Sequence, residues 1–200
     1  MAEILKEKEE IKEFLKNLGI EYRFSCYSEK NPQGCQLLAD YLSQVDNDDE
    51  KANKVLKENC DERNYGRSCS TYGMNLLNGR AGFEPSIRKH ISPEHEKGLR
   101  YLERGCNMES TAQLFESIES CHAAAFMYAS GVKDVFARDD EKAIEYGTKA
   151  CNSGNMNSCK LLSIVYKRMN NEEMSEKFMA HYERLKKQIS DNVGIEMQRS

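Results

Sequence analysis

The sequence predicts an all-α fold, an α-solenoid of helix-turn-helix repeats stapled by disulfides. Three observations carry that prediction: a short template recurs three times, eight cysteines fall into four close pairs, and only three prolines and no tryptophan interrupt 200 residues rich in Lys, Glu, Leu and Ala. The template is acid-x-x-Lys-(Ala/Gly), followed eight residues later by cysteine. Asp48-Asp-Glu-Lys-Ala52 leads to Cys60, Glu94-His-Glu-Lys-Gly98 to Cys106, and Asp139-Asp-Glu-Lys-Ala143 to Cys151.

A single domain is expected over residues 1–190, opened by a capping helix over 1–20. Its charged sequence places Leu5, Ile11, Phe14, Leu15 and Leu18 on one side. Repeats then fill 21–170. In each copy of the template the acidic start suits the positive end of a helix macrodipole and can cap free N–H groups. Ala52, Val55, Leu56 and Cys60 form one stripe at helical spacing, and Ala143, Ile144, Ala150 and Cys151 form another. The small residue after the lysine admits a close neighbour. Ser92 is an N-cap candidate, with Pro93 in the first turn.

After each copy a polar loop leads to a second cysteine and a second helical run. Cys69 to Gly79 and Cys121 to Gly131 each end on a glycine suited to the left-handed C-cap, while Cys35 to Val45 and Cys159 to Met169 fill the same role at the two ends. Irregular spacing is confined to loops 80–92 and 107–117. A second capping helix is expected over 171–190, burying Met174, Phe178, Met179, Tyr182 and Leu185, with 191–200 as a frayed tail. Polar outer faces at both ends keep a repeat array soluble.

The cysteines pair in order as Cys26 with Cys35, Cys60 with Cys69, Cys106 with Cys121, and Cys151 with Cys159. Each pair joins the end of one helix to the first turn of the next, and closing such a loop is worth about 3 kcal/mol in the chain-entropy model. Two alternatives stand beside this reading. Reduced, buried cysteines would act as small hydrophobes, and metal-binding cysteines would favour C-x₂₋₄-C knuckles, which are absent. No C-x-x-C redox motif occurs either.

Composition excludes several classes. A net charge of −4 leaves no basic footprint, so no nucleic-acid partner is expected. No run approaches the ~18 apolar residues of a transmembrane segment. The opening MAEILKEKEEIKEFLKNLGI resembles neither a secretory signal nor an Arg-rich presequence. Paired cysteines nevertheless point to an oxidising compartment.

The stretch DDEKAIEYGTKACNSGNMNSCKLLSIVY resembles the Sel-one-like repeat, a relative of the tetratricopeptide repeat, through Asp139, Lys142, Ala143, Tyr146, Lys149, Ala150 and Gly154. CYSEKNPQGC (26–35), AxxVLKxNC (52–60), SCSTYGMNLLNGRAGF (68–83) and ESCHAAA are similar to the cysteine-stapled branch of that family, which includes metazoan factors for respiratory-complex assembly. That branch has five cysteine-paired repeats where four stand here.

The resemblance implies a protein of the mitochondrial intermembrane space, imported without a presequence and trapped by an oxidoreductase relay. Its partners would be client proteins of respiratory-complex assembly, chiefly of cytochrome c oxidase. It also implies haem handling, for which His122 is the candidate axial ligand. Its family counterpart one helical stretch further on is unmatched, Tyr128 and Ala129 standing there, and a capping or hydrogen-bonding histidine is the plainer reading of His122. No other cofactor and no metal are expected.

His90, His95 and His181 read as surface residues, and Tyr41, Tyr72, Tyr128, Tyr146 and Tyr166 as core or groove-lining rather than catalytic. The functional expectation is a non-enzymatic, protein-binding scaffold. Its rivals are a thiol–disulfide exchange factor and a β-lactamase-like repeat protein. Against the last, Ser28 and Ser175 lack a lysine three residues on, and S-x-x-K, S-D-N and K-T-G do not all occur.

Overall fold

In two of the three template copies the opening acid is the cap of the helix that follows. Asp48 accepts a hydrogen bond from the Lys51 backbone N–H at 3.0 Å ahead of α3 (Asp49–Arg63), and Asp139 accepts from Lys142 N–H at 3.0 Å ahead of α7 (Asp140–Asn152). Glu94 precedes α5 (His95–Cys106) and pairs with Lys97 at 2.8 Å. Two of the second helices start on asparagine instead: Asn31 caps α2 (Pro32–Gln44) and Asn155 caps α8 (Met156–Arg168).

These helices belong to a computed structural model that describes residues 2–79, 94–108 and 114–197. The remaining elements are α1 (Ala2–Tyr27), α4 (Gly66–Leu77), α6 (Leu114–Ser130) and α9 (Glu172–Met197). Among the described residues the only β feature is an isolated bridge between Val132 and Phe136. None of the helices described is long and apolar enough to cross a membrane. The predicted class, all-α helix-turn-helix repeats stapled by disulfides, is the one observed. The Ser92–Pro93 start and the 80–92 loop lie outside the described residues.

Where one domain over 1–190 was expected, the chain groups into two units, Met1–Tyr101 and Leu102–Ser200, with the boundary inside α5. In a repeat array each element packs only on its neighbours, so no single centre gathers the whole chain. In the first unit α1 packs on α2, α2 on α3 and α3 on α4 around Leu38, Leu42, Leu56 and Leu76. In the second, α6, α7, α8 and α9 pack in succession, with Cys151, Cys159, Leu162 and Phe178 forming one cluster.

The two predicted stripes are core. Ala52, Val55, Leu56 and Cys60 are buried, as are Ala143, Ala150 and Cys151, with Ile144 half-buried. The small residue after the template lysine is required by packing in α5. A Cβ on Gly98 would sit 2.9 Å from the Gly73 carbonyl oxygen and 3.0 Å from Leu77, closer than real side chains approach. The two glycine stops are confirmed by positive φ, +66° at Gly79 and +67° at Gly131.

Several boundaries differ from expectation. The first capping helix does not end at 20 but runs to Tyr27, carrying Cys26 in its last turn. Its stripe is only partly used: Leu15 and Leu18 are half-buried, but Ile11 is 53 % and Phe14 63 % exposed, because α1 outruns the neighbour it packs on. Residues 191–197, expected to fray, continue α9 instead, and Met179 is exposed on that helix. Cys121 is not in the first turn of its helix, because α6 already begins at Leu114.

Candidate functional site

All eight cysteines are bonded, and the partners are those read from the sequence order. The Cα atoms stand 4.3 Å apart in Cys26–Cys35, 4.9 Å in Cys60–Cys69, 4.6 Å in Cys106–Cys121 and 4.9 Å in Cys151–Cys159. The first member lies in the final turns of its helix, where twelve residues from the capping acid, a little over three turns, return the side chain toward the next helix. The second member is the fourth residue of α2, α4 and α8. The half-cystines are themselves core, none more than 7 % exposed.

A serine immediately before the second cysteine escaped the sequence reading. Ser68, Ser120 and Ser158 are all fully buried beside Cys69, Cys121 and Cys159. The visible signal was the Ser-Cys dipeptide itself, present in three of four pairs. In the first pair Gly34 takes this place, and a Cβ there would meet Ser25 Oγ at 2.4 Å. Ser68 accepts from Asn59 Nδ2 at 2.8 Å and donates to Gln36 Oε1 at 2.8 Å. Ser158 Oγ bonds the ring Nδ1 of His122 at 2.8 Å.

That bond defines the setting of His122, the haem candidate. Burial pushes its imidazole below the ordinary histidine range, an effect that the Glu119 charge only partly offsets. A cavity of 210 Å³ lies against Ile118, Glu119 and the α7–α8 turn, but His122 is not among its lining residues. Sites for sizeable ligands typically span roughly 300–1,000 Å³. Ser158 thus engages Nδ1 of His122, the setting of a hydrogen-bonding histidine.

His181 differs from the surface placement expected of it. It is half-buried on α9, with Nδ1 3.5 Å from Cys151 Sγ. His95 is half-buried in the first turn of α5, and His90 lies outside the described residues. Tyr41, Tyr72, Tyr128 and Tyr146 are buried, and Tyr166 is half-buried and stacked on Phe178 at 5.5 Å.

The second unit also holds a shared carboxylate. Tyr128 and Tyr146 stack at 5.9 Å, and both hydroxyls donate to Glu103 Oε1, at 2.5 and 3.2 Å. Burial, reinforced by the Glu103 charge, pushes Tyr146 up to about 12 and raises Tyr128 strongly. Lys142 Nζ sits 4.8 Å over the Tyr128 ring. These phenols stay protonated at neutral pH and tie α5 to α6 and α7, which is a structural role.

In the first unit a 470 Å³ groove opens among Arg23, Tyr27, Leu38, Leu42, Asp46 and Lys51, with an apolar floor and a charged rim. Its volume falls in the range of ligand-binding clefts. Of the β-lactam motifs, S-x-x-K occurs at Ser130–Lys133 and S-D-N at Ser190–Asn192, both serines exposed, with no K-T-G; a further S-x-x-K at Ser86–Lys89 lies outside the described residues.

No family model matches the chain. It is 29 % identical to the Drosophila melanogaster cytochrome c oxidase assembly factor 7 homolog over 96 % of this chain and 94 % of that protein. That alignment runs over 255 positions against 200 residues here, so the fly protein carries residues that this chain lacks within the aligned span. Identity to cytochrome c oxidase assembly factor 7 is 34 % in Xenopus tropicalis, over 81 % of this chain, and 31 % in Homo sapiens, over 80 %. The chain spans 65 % and 64 % of those two proteins, just under two thirds. In three dimensions it is similar to a protective antigen of uropathogenic Escherichia coli displaying an SLR fold, with TM-score 0.64 and 19 % identity over 82 % of this chain and 32 % of that one.

Proposed function

We propose that this chain, a cysteine-stapled Sel-one-like repeat protein resembling cytochrome c oxidase assembly factor 7, supports cytochrome c oxidase assembly as a non-enzymatic, client-binding scaffold of the mitochondrial intermembrane space. The observation that carries the reading is the sequence likeness to the fly assembly factor along nearly the whole chain, 96 % of it. The fold supports it independently. Helical repeats bind proteins through surfaces contributed by successive helices, and the stapled first unit carries a groove with an apolar floor and ion-paired rim, Arg23 to Asp46 at 3.1 Å.

Four buried disulfides support the compartment, because such bonds persist where the redox poise is oxidising. Their tight embedding in the core fits covalent reinforcement of helix pairs that bury little alone. Immunocapture of the oxidised protein from fractionated mitochondria tests the proposal. It should bring down newly made, unassembled subunits of cytochrome c oxidase from the intermembrane-space fraction. Recovery from another compartment, or capture free of such subunits, would overturn it.

A further inference from the structure

One of the four disulfides has an imidazole against it. Cys151 lies near the end of α7, Cys159 in the first turn of α8 and His181 on α9, so three successive helices converge on one point. The two sulfurs and a ring nitrogen of His181 all lie within 4.8 Å of one another, the one such group of three among the described residues. Both cysteines are fully buried, whereas His181 is half-buried and gives the cluster an edge toward solvent. The scaffold reading assigns this histidine nothing to do.

We propose that Cys151, Cys159 and His181 form a zinc site once their disulfide is opened by a dithiol reductant. Thiolate sulfur and imidazole nitrogen are the donors that Zn²⁺ takes in tetrahedral sites, and three protein ligands leave a fourth position for water. With Zn–S near ~2.3 Å and Zn–N near ~2.1 Å, a tetrahedral ion holds its sulfur and nitrogen ligands roughly 3.6 Å apart. Cys151 Sγ and His181 Nδ1 already stand 3.5 Å apart. The second sulfur needs only to swing away from the first, and with Cα atoms 4.9 Å apart a side-chain rotation accomplishes this.

The electron balance is simple. The dithiol closes to its own cyclic disulfide and delivers two electrons and two protons, leaving two thiols at Cys151 and Cys159. Zinc displaces both thiol protons, forms one bond to each sulfur and accepts the Nδ1 lone pair of His181. Two thiolates neutralise the ion. A disulfide oxidant reverses this: it takes two electrons from the two thiolates and two protons from water to become a dithiol, the sulfurs rejoin and Zn²⁺ is released. The same residues thus alternate between a covalent staple and a metal clip across α7, α8 and α9.

Cobalt(II) titration tests this with the full chain, anaerobically, after dithiol treatment and removal of the reductant. Reduced wild type should bind one Co²⁺ with tetrahedral ligand-field and thiolate charge-transfer bands, displaced by Zn²⁺, while the oxidised protein should not. His181→Ala keeps all eight cysteines and should bind at least about tenfold more weakly, with altered bands. Cys151→Ser combined with Cys159→Ser should abolish the signal. If reduction alone lowers helicity, Zn²⁺ should restore the far-ultraviolet signal in wild type and not in His181→Ala. Equal affinity and spectrum in His181→Ala, equal binding by the oxidised protein, or no tetrahedral complex and no zinc-restored helicity in reduced wild type would each overturn the proposal.

Discussion

Asn59 and Ser68 are joined by a 2.8 Å hydrogen bond that runs beside the Cys60–Cys69 disulfide, one residue upstream of each half-cystine. Asn59 Nδ2 also donates to the Pro32 carbonyl at 2.8 Å, and the Ser68 hydroxyl donates to Oε1 of Gln36, whose Nε2 in turn donates to Asp40 at 3.0 Å. All of Asn59, Ser68 and Gln36 are buried. The covalent link therefore joins α3 to α4, and the polar chain beside it extends the tie to α2.

Removing Ser68 leaves the Asn59 amide and the Gln36 carbonyl short of a partner in a site without water access. Ser68→Ala should destabilise the protein by about 1–3 kcal/mol even with the disulfide intact. Chemical denaturation under non-reducing conditions measures this. An unchanged midpoint would mean the chain contributes nothing beyond the covalent link.

Gly98 sits inside a helix, where alanine is ordinarily favoured by about 0.5–1 kcal/mol. Packing reverses the sign, because the added Cβ would press on the Gly73 backbone oxygen at 2.9 Å. Gly98→Ala should lose about 1–3 kcal/mol. A more stable variant in thermal unfolding would show that α4 and α5 are not held this close.

Each disulfide closes a short loop, with sequence separations of 9, 9, 15 and 8. Replacing any pair with serines should cost about 2–4 kcal/mol. Since loop-closure entropy grows by only ~0.6 kcal/mol per doubling of length, the Cys60–Cys69 and Cys106–Cys121 double variants should differ by less than that. Paired denaturation curves decide the point, and a gap of several kcal/mol would show that one bond carries a packing role the others lack.

Tyr128 and Tyr146 report on Glu103. Near-ultraviolet titration should find Tyr146 ionising at about 12 and Tyr128 higher still, against an ordinary value of 10.0. Unfolded tyrosines lose their protons first, so the folded state binds more protons above about pH 10 and stability falls as pH rises through that range. Glu103→Gln should lower both tyrosine values. Ionisation of both near 10 in the wild type would contradict the geometry.

Much of this was legible in the sequence because helical repeats are governed by local chemistry. The spacing from Asp48 to Cys60 sets both the cap and the staple, and Asp139 to Cys151 repeats it. Gly98 announced a close approach before its neighbour Gly73 was known. What failed concerns partners distant in sequence. Ile11 and Phe14 lie on a periodic stripe, but nothing in α1 says where α2 stops covering it. His181 looked like a surface residue because its neighbours in α9 are charged, and only the fold brings it to Cys151, thirty residues away. Likewise Ser68 reads as a polar loop residue until Gln36, thirty-two positions earlier, meets it.

The account stands or falls most directly on assembled cytochrome c oxidase in cells depleted of this protein, resolved on native gels and followed during re-expression. The expected result is a marked fall in the assembled enzyme, restored by the wild-type chain and not by a chain whose four cysteine pairs are replaced by serine. Normal levels of assembled cytochrome c oxidase after depletion would contradict it.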